Sequence, residues 1–120
     1  MDRAERIEQY RQLIEQRIAE YCDWANNAQG GEQPATIENL VVFDRHHDRY
    51  LWLELGWLGK QRIDRTLLCV RIHNQKVWIE IDQTPQGFAT DLLEAGLNPE
   101  EIVLAFYSPQ KRSLTEFAIA

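Results

Sequence analysis

RIDRTLLCVRIHNQKVWIEID, residues 62–82, reads as a two-stranded antiparallel ribbon folded about Asn74 and Gln75. With those two residues as the turn, Leu68 faces Ile81, Val70 faces Ile79 and Ile72 faces Val77 on one side, a ladder with no polar side-chain atom. That side requires burial, at about 1.5–3 kcal/mol for each aliphatic side chain. On the other side Leu67 faces Asp82, Cys69 faces Glu80, Arg71 faces Trp78 and His73 faces Lys76. This second side is amphipathic, suited to water or to a partner. The turn is imperfect: a type I′ turn needs positive φ at both central residues, and Gln lacks the freedom of Gly, a cost of roughly 1–2 kcal/mol. A longer connection would shift the register.

Outward from the ribbon, Ile37–Phe43 and Arg49–Trp57 read as two further strands, joined by Asp44-Arg45-His46-His47-Asp48. Leu58–Gln61, with Gly59, turns the second of them into the ribbon, which makes a four-stranded meander. Upstream, Ile7, Tyr10, Ile14, Ile18, Tyr21, Cys22 and Ala25 recur at spacings of three and four, predicting an amphipathic helix from Arg3 to about Ala25. It would be about 33 Å long, enough to invite a second subunit. Asn26–Pro34, with Gly30 and Gly31, reads as the loop that ends it.

Downstream, Phe88, Leu92, Leu93 and Leu97 mark a shorter helix near 85–96, with Thr84 as its expected N-cap. Asn98-Pro99-Glu100-Glu101 is a second helix start with room for only a turn. Ile102–Tyr107 reads as a strand buried on both sides, Pro109–Arg112 as a polar excursion and Leu114–Ile119 as a closing strand. The expected fold is therefore α+β: a mainly antiparallel sheet packed by helices, in one domain spanning 1–120.

Composition narrows the function. The chain has 120 residues, 44% of them hydrophobic, and 13 basic against 19 acidic residues give a net charge of −6. That balance argues against direct DNA binding unless Lys60, Arg62, Arg65, Lys111 and Arg112 gather into one stripe. Cys22 and Cys69 form no CxxC pair, the start is charged, and Ile102–Tyr107 is too short to span a bilayer, all of which suit a cytoplasmic protein without a membrane anchor.

No nucleophile motif, P-loop, HExxH or dinucleotide fingerprint is present, so no catalytic residue and no cofactor is assigned. Asp44, His46, His47 and Asp48 are the metal candidates, since imidazole and carboxylate suit Zn or Fe. Adjacent His46 and His47 point to opposite sides of an extended chain, and a hairpin connection with its acids on turn amides explains the same residues, so no metal is assigned. Glu80 and Asp82 share a strand face, where solvated acids are the ordinary reading.

Phe43-Asp44, Asp48-Arg49-Tyr50, Gly56-Trp57, Lys76-Val77-Trp78-Ile79, the run Ala95–Phe106, Pro109, Arg112 and Thr115-Glu116-Phe117-Ala118 make a recurring order across nearly the whole chain. In these motifs it resembles the XisI family, the controlling factors for excision of the fdxN element. Asn74-Gln75, Glu80 and Pro85 depart from the usual family residues. The resemblance implies a cyanobacterial, non-catalytic accessory protein that associates with a XisH-type partner and acts indirectly on recombinase machinery during heterocyst differentiation.

The candidate partner surface follows from the amphipathic side of the ribbon. Arg71 opposite Trp78 suits a cation–π contact, and Tyr50 and Trp52 join the same side if the second strand pairs there. Arg112 and Glu116 complete the candidate surface, and self-association into a homo-oligomer is expected as well. The alternative is that the first helix covers these aromatics. The rival function is a small ligand- or metal-binding enzyme with an acid- and histidine-lined cleft.

Overall fold

The computed structural model describes residues 2–28 and 36–120. Helix α1 runs Arg3–Asn27, and Asp2 caps it by accepting the Glu5 backbone N–H at 2.8 Å. Its buried residues, Tyr10, Ile14, Ile18 and Cys22, are four apart, so they form one stripe along the axis. Asn26 and Asn27, expected in the loop, continue the helix, and most of that loop lies outside the described residues.

Strands β1 (Thr36–Asp44), β2 (Arg49–Leu58), β3 (Gln61–His73), β4 (Lys76–Asp82) and β5 (Ile102–Leu104) form a sheet in sequence order, antiparallel except for the parallel β4–β5 pair. This is the expected α+β meander with a C-terminal strand. The Asn74-Gln75 turn has both φ values positive, 49° and 63°, as a type I′ hairpin requires. Val70 pairs with Ile79, Arg71 with Trp78, Ile72 with Val77 and His73 with Lys76, as expected.

Beyond Val70 the register slips by one at a bulge. Leu68 pairs with Asp82 and Cys69 with Ile81, which corrects the expected Leu68–Ile81, Leu67–Asp82 and Cys69–Glu80 pairs. Ile81 consequently faces outward and is 39% exposed. The slip has a use. The Asp82 carboxylate accepts from the Thr84 N–H at 3.0 Å, the Thr84 hydroxyl at 2.5 Å and the Phe88 N–H at 2.6 Å. It thereby anchors the entry to helix α2 (Phe88–Glu94), whose N-cap is Gly87 rather than the expected Thr84.

α1 and α2 cover one face of the sheet, where Tyr50, Leu68, Val70, Val77, Ile79, Phe88, Leu92 and Ile102 are fully buried. A 3-10 turn at Pro99–Glu101 precedes β5, and the Glu101 carboxylate takes the Asn98 N–H at 3.0 Å. β5 is shorter than the expected Ile102–Tyr107 strand because the chain turns at Ala105. Pro109–Arg112 forms the short helix α3. The closing strand expected over Leu114–Ile119 is reduced to one bridge, Val103 to Ala118, and Leu114 stands 85% exposed. Arg112 accounts for this: its guanidinium donates to the carbonyls of Leu104, Ala105 and Ile119, bending the tail around the sheet margin.

Candidate functional site

The sheet has a covered face and a reverse face, and strand pairing assigns each aromatic to one of them. Tyr50 pairs with Val70 and Trp52 with Leu68, which places both under α1 on the covered face. Their exposures are 0% and 4%. They therefore do not join Arg71 and Trp78, which lie on the reverse face, and the expected four-residue cluster is divided by the sheet itself. Trp52 stacks on Tyr21 at 5.7 Å and donates its indole N–H to Asn39 Oδ1 at 2.9 Å. Nothing in strand β2 alone foretells this, because Leu51, Leu53 and Leu55 make its other side equally apolar.

On the reverse face Trp78 lies between two guanidinium groups, Arg71 at 5.1 Å and Arg112 at 5.6 Å from the ring centroid. Its indole N–H donates to the His73 carbonyl at 2.9 Å, and Arg71 also donates to Glu80 at 2.6 Å. Trp78 retains only 8% exposure, while Glu116 is exposed. The β1–β2 half of this face carries Leu40, Val42, Leu51 and Leu53, of which Val42 is 43% exposed. What results is an apolar strip bordered by a cationic and aromatic end.

The acid and histidine residues between β1 and β2 are divided as well. Asp44 accepts the His47 backbone N–H at 3.0 Å and lies 2.6 Å from His47 Nδ1, holding the turn. Asp48 faces α1: Arg11 donates to both its oxygens at 2.8 and 3.1 Å, and the Tyr50 hydroxyl donates to it at 2.9 Å. Among the described residues no group of three or more His, Cys, Asp or Glu side chains gathers in metal-holding geometry. The basic residues divide likewise. Arg62 lies over Trp57 and Arg65 pairs with Glu54 on the β2–β3 hairpin, whereas Lys111 lies over Tyr107 beside α3.

One buried carboxylate escaped the reading of the sequence. Asp91 of α2, 7% exposed, accepts from the Tyr21 hydroxyl and the Gln86 amide, both at 2.5 Å. It borders a hollow of about 380 Å³ with Arg17, Trp24 and Pro85. Tyr21 and Asp91 are 70 residues apart, so no local pattern announces the pair. Burial and the adjacent carboxylate push the Tyr21 hydroxyl well above its ordinary range.

Ionisation is linked to the fold at the partly buried Asp48 and Glu101. Burial alone would raise Asp48, but donation from Arg11 and Tyr50 overrides it and holds the group below its usual 3.8. Glu101, likewise pushed up by burial, is brought below 4.5 by Arg6 and the Asn98 N–H. A carboxyl depressed in the folded state contributes stability above its unfolded pKa, and that contribution disappears as pH falls through the folded value. Unfolding free energy is therefore expected to stay level from neutrality to about pH 5 and to decline below about pH 4. Urea titrations across that range check this, and Asp48→Asn should flatten the decline.

Among the described residues no helix is long and apolar enough to cross a membrane. Residues 1–119 match the family model described as XisI protein. Among curated proteins no match is found. Two solved structures from Anabaena variabilis ATCC 29413 are similar. The fdxN element excision controlling factor XisI is 38% identical, with a TM-score of 0.79, 96% of this chain covered and 99% of the other. A XisI-like protein is 27% identical, with a TM-score of 0.80 and coverages of 93% and 97%.

Proposed function

Because the chain belongs to the XisI family, we propose that it is a controlling factor for excision of a DNA element, acting in the cytoplasm through association with a XisH-type partner rather than by catalysis. The reading is carried by the family match across residues 1–119, joined to a 38% identical relative whose name is excision controlling factor. The disposition of charge supports the non-catalytic part. Asp48, Glu80, Asp91 and Glu101 are each engaged by an Arg, Tyr or Gln donor, an arrangement that ties elements together.

The reverse face is the docking surface in this proposal. Arg71, Trp78 and Arg112 supply its Arg and aromatic part, with the exposed Glu116 assigned to it by proposal alone, while Tyr50 and Trp52 support the sheet from behind. Interfaces of this kind gather Arg and aromatic side chains with apolar ones at their centre, inside a polar rim. Co-expression of the tagged chain with the XisH-type protein encoded nearest to it tests the proposal. A complex that survives gel filtration and is lost on Leu51→Glu, with the variant still folded, is the expected result. No complex with any XisH-type companion from the same genome overturns it.

A further inference from the structure

The two margins of the sheet are finished differently. At β5, the Ala118 N–H donates to the Ile102 carbonyl at 2.9 Å and Arg112 donates to the Leu104 carbonyl, so the C-terminal tail occupies that edge. At β1, among the described residues, one side chain does this work. The Asn26 carboxamide accepts the Asn39 N–H at 3.1 Å and donates to the Asn39 carbonyl at 3.1 Å, as a neighbouring strand would. This shows which way the strand points: Asn39 turns its backbone groups away from β2. In an unbroken antiparallel strand alternate residues share that direction, so Val41 and Phe43 turn theirs outward too. Among the described residues no side chain reaches them.

An open edge of this sort is a template for another strand, and proteins ordinarily blunt it with charge, Pro or a bulge. Here the open part is Leu40-Val41-Val42-Phe43, with Val41 38% and Val42 43% exposed and no charge among them. We propose that β1 pairs antiparallel with β1 of a second copy about a two-fold axis at Val42, joining the two sheets into one of ten strands.

The register follows from what is already occupied. A two-fold axis normal to the sheet can pass through only one residue of β1. Centred on Asn39, Leu40 or Val41, the pairing needs the Asn39 groups that Asn26 holds, and the Val41 centre also sets Glu38 against Asp44 of the second copy. Centred on Val42, Val41 meets Phe43 of the second copy and exchanges both backbone hydrogen bonds with it, twice over by symmetry. Asn26 stays in place, Asp44 meets Leu40, and no like charges oppose. Asn26 thus excludes the centres before Val42, and a centre on Phe43 would leave only one hydrogen-bonded pair within β1, against two for Val42. The two exposed Val42 side chains become direct neighbours, which extends the apolar strip of the reverse face across both copies. Charge and hydrogen-bond complementarity of β1 with itself is why the occupant is a second copy and not another protein.

Sedimentation equilibrium of the full chain tests the proposal, with cysteine variants fixing the register. The wild-type chain is expected to dimerise reversibly. Val41→Pro removes an outward N–H that no other described residue uses, and is expected to weaken dimerisation about tenfold or more. A circular dichroism melt confirms that this variant folds. Val42→Cys brings two thiols close enough to form an intermolecular disulfide on mild oxidation. Leu40→Cys places them roughly 13 Å apart and should not cross-link. The native Cys22 and Cys69 are buried. If Val41→Pro fails to fold, the cysteine pair decides. A wild-type chain monomeric up to about 1 mM, which is affinity too weak to matter, overturns the proposal. So does a folded Val41→Pro that dimerises like the wild type, or cross-linking of Leu40→Cys in preference to Val42→Cys.

Discussion

Trp78→Ala is expected to destabilise the fold by about 3–5 kcal/mol, the range for emptying a large aromatic from a packed site. Trp78 is 8% exposed, set among Arg71, Arg112, His73 and its strand partner Val103, which gives the loss several parts. The indole area returns to water or leaves a void, and two guanidinium groups lose the ring they lie over, at roughly 0.5–1 kcal/mol each. Arg112 matters most here, because the same group ties the carbonyls of Leu104, Ala105 and Ile119 together, so its displacement loosens the tail that closes β5. In a chain of this size the melting temperature should fall by roughly 10–25 °C. Thermal denaturation followed by far-ultraviolet circular dichroism measures it. A shift of only a degree or two would mean that Trp78 is held for a partner and contributes little to the folded chain. Arg71→Ala removes one of the two guanidinium groups over Trp78 while leaving the indole itself and Arg112 in place, and is the milder probe of partner binding.

How far the residues announced this structure depends on which kind of information each feature needed. The hairpin at Asn74-Gln75 was legible because turn chemistry and alternation are both local: positive φ at both positions follows once Val70, Ile72, Val77 and Ile79 must share one face. The long helix was legible for the same reason, from a period of 3.6 sustained over seven apolar positions. The bulge between Cys69 and Val70 was not legible. Ile81 continues the alternation perfectly, and the slip that turns it outward is favoured by hydrogen bonds that Asp82 accepts from a helix start that the alternation knows nothing about.

The candidate surface separated along the same line. Arg71 and Trp78 face each other within one ribbon, so their contact could be read directly. Tyr50 and Trp52 depend on the register of a different strand pair, and β2 is apolar on both sides, so periodicity assigns no inside to it. The Asn26 clamp on Asn39 and the Tyr21–Asp91 pair are side-chain contacts between helix and distant chain. Such contacts leave no mark on local composition, and only coordinates reveal them.

Phe88→Ala should cost a similar amount, about 3–5 kcal/mol, but its consequences are expected to be distributed differently. α2 has seven residues, well below the length at which an isolated helix holds together, so its helicity depends on the side chains it buries. Phe88 and Leu92 are both fully buried, and Phe88 packs against Tyr21 of α1 with ring centroids 6.5 Å apart. Removing the ring takes one of two anchors from the helix while leaving the Phe88 N–H bond to Asp82 in place, so the start of α2 stays tethered and its body is free to open. Asp91 lies in that body. Once α2 opens, its carboxylate regains water, and the hydrogen bond that ties Tyr21 of α1 to it is lost as well. The variant is therefore expected to exchange amide hydrogens over residues 88–97 far faster than over β3 and β4, whose protection tracks global unfolding. Equal acceleration in all three segments would instead mean that α2 opens only when the whole sheet does, and that Phe88 belongs to the same cooperative unit as Val70 and Ile79.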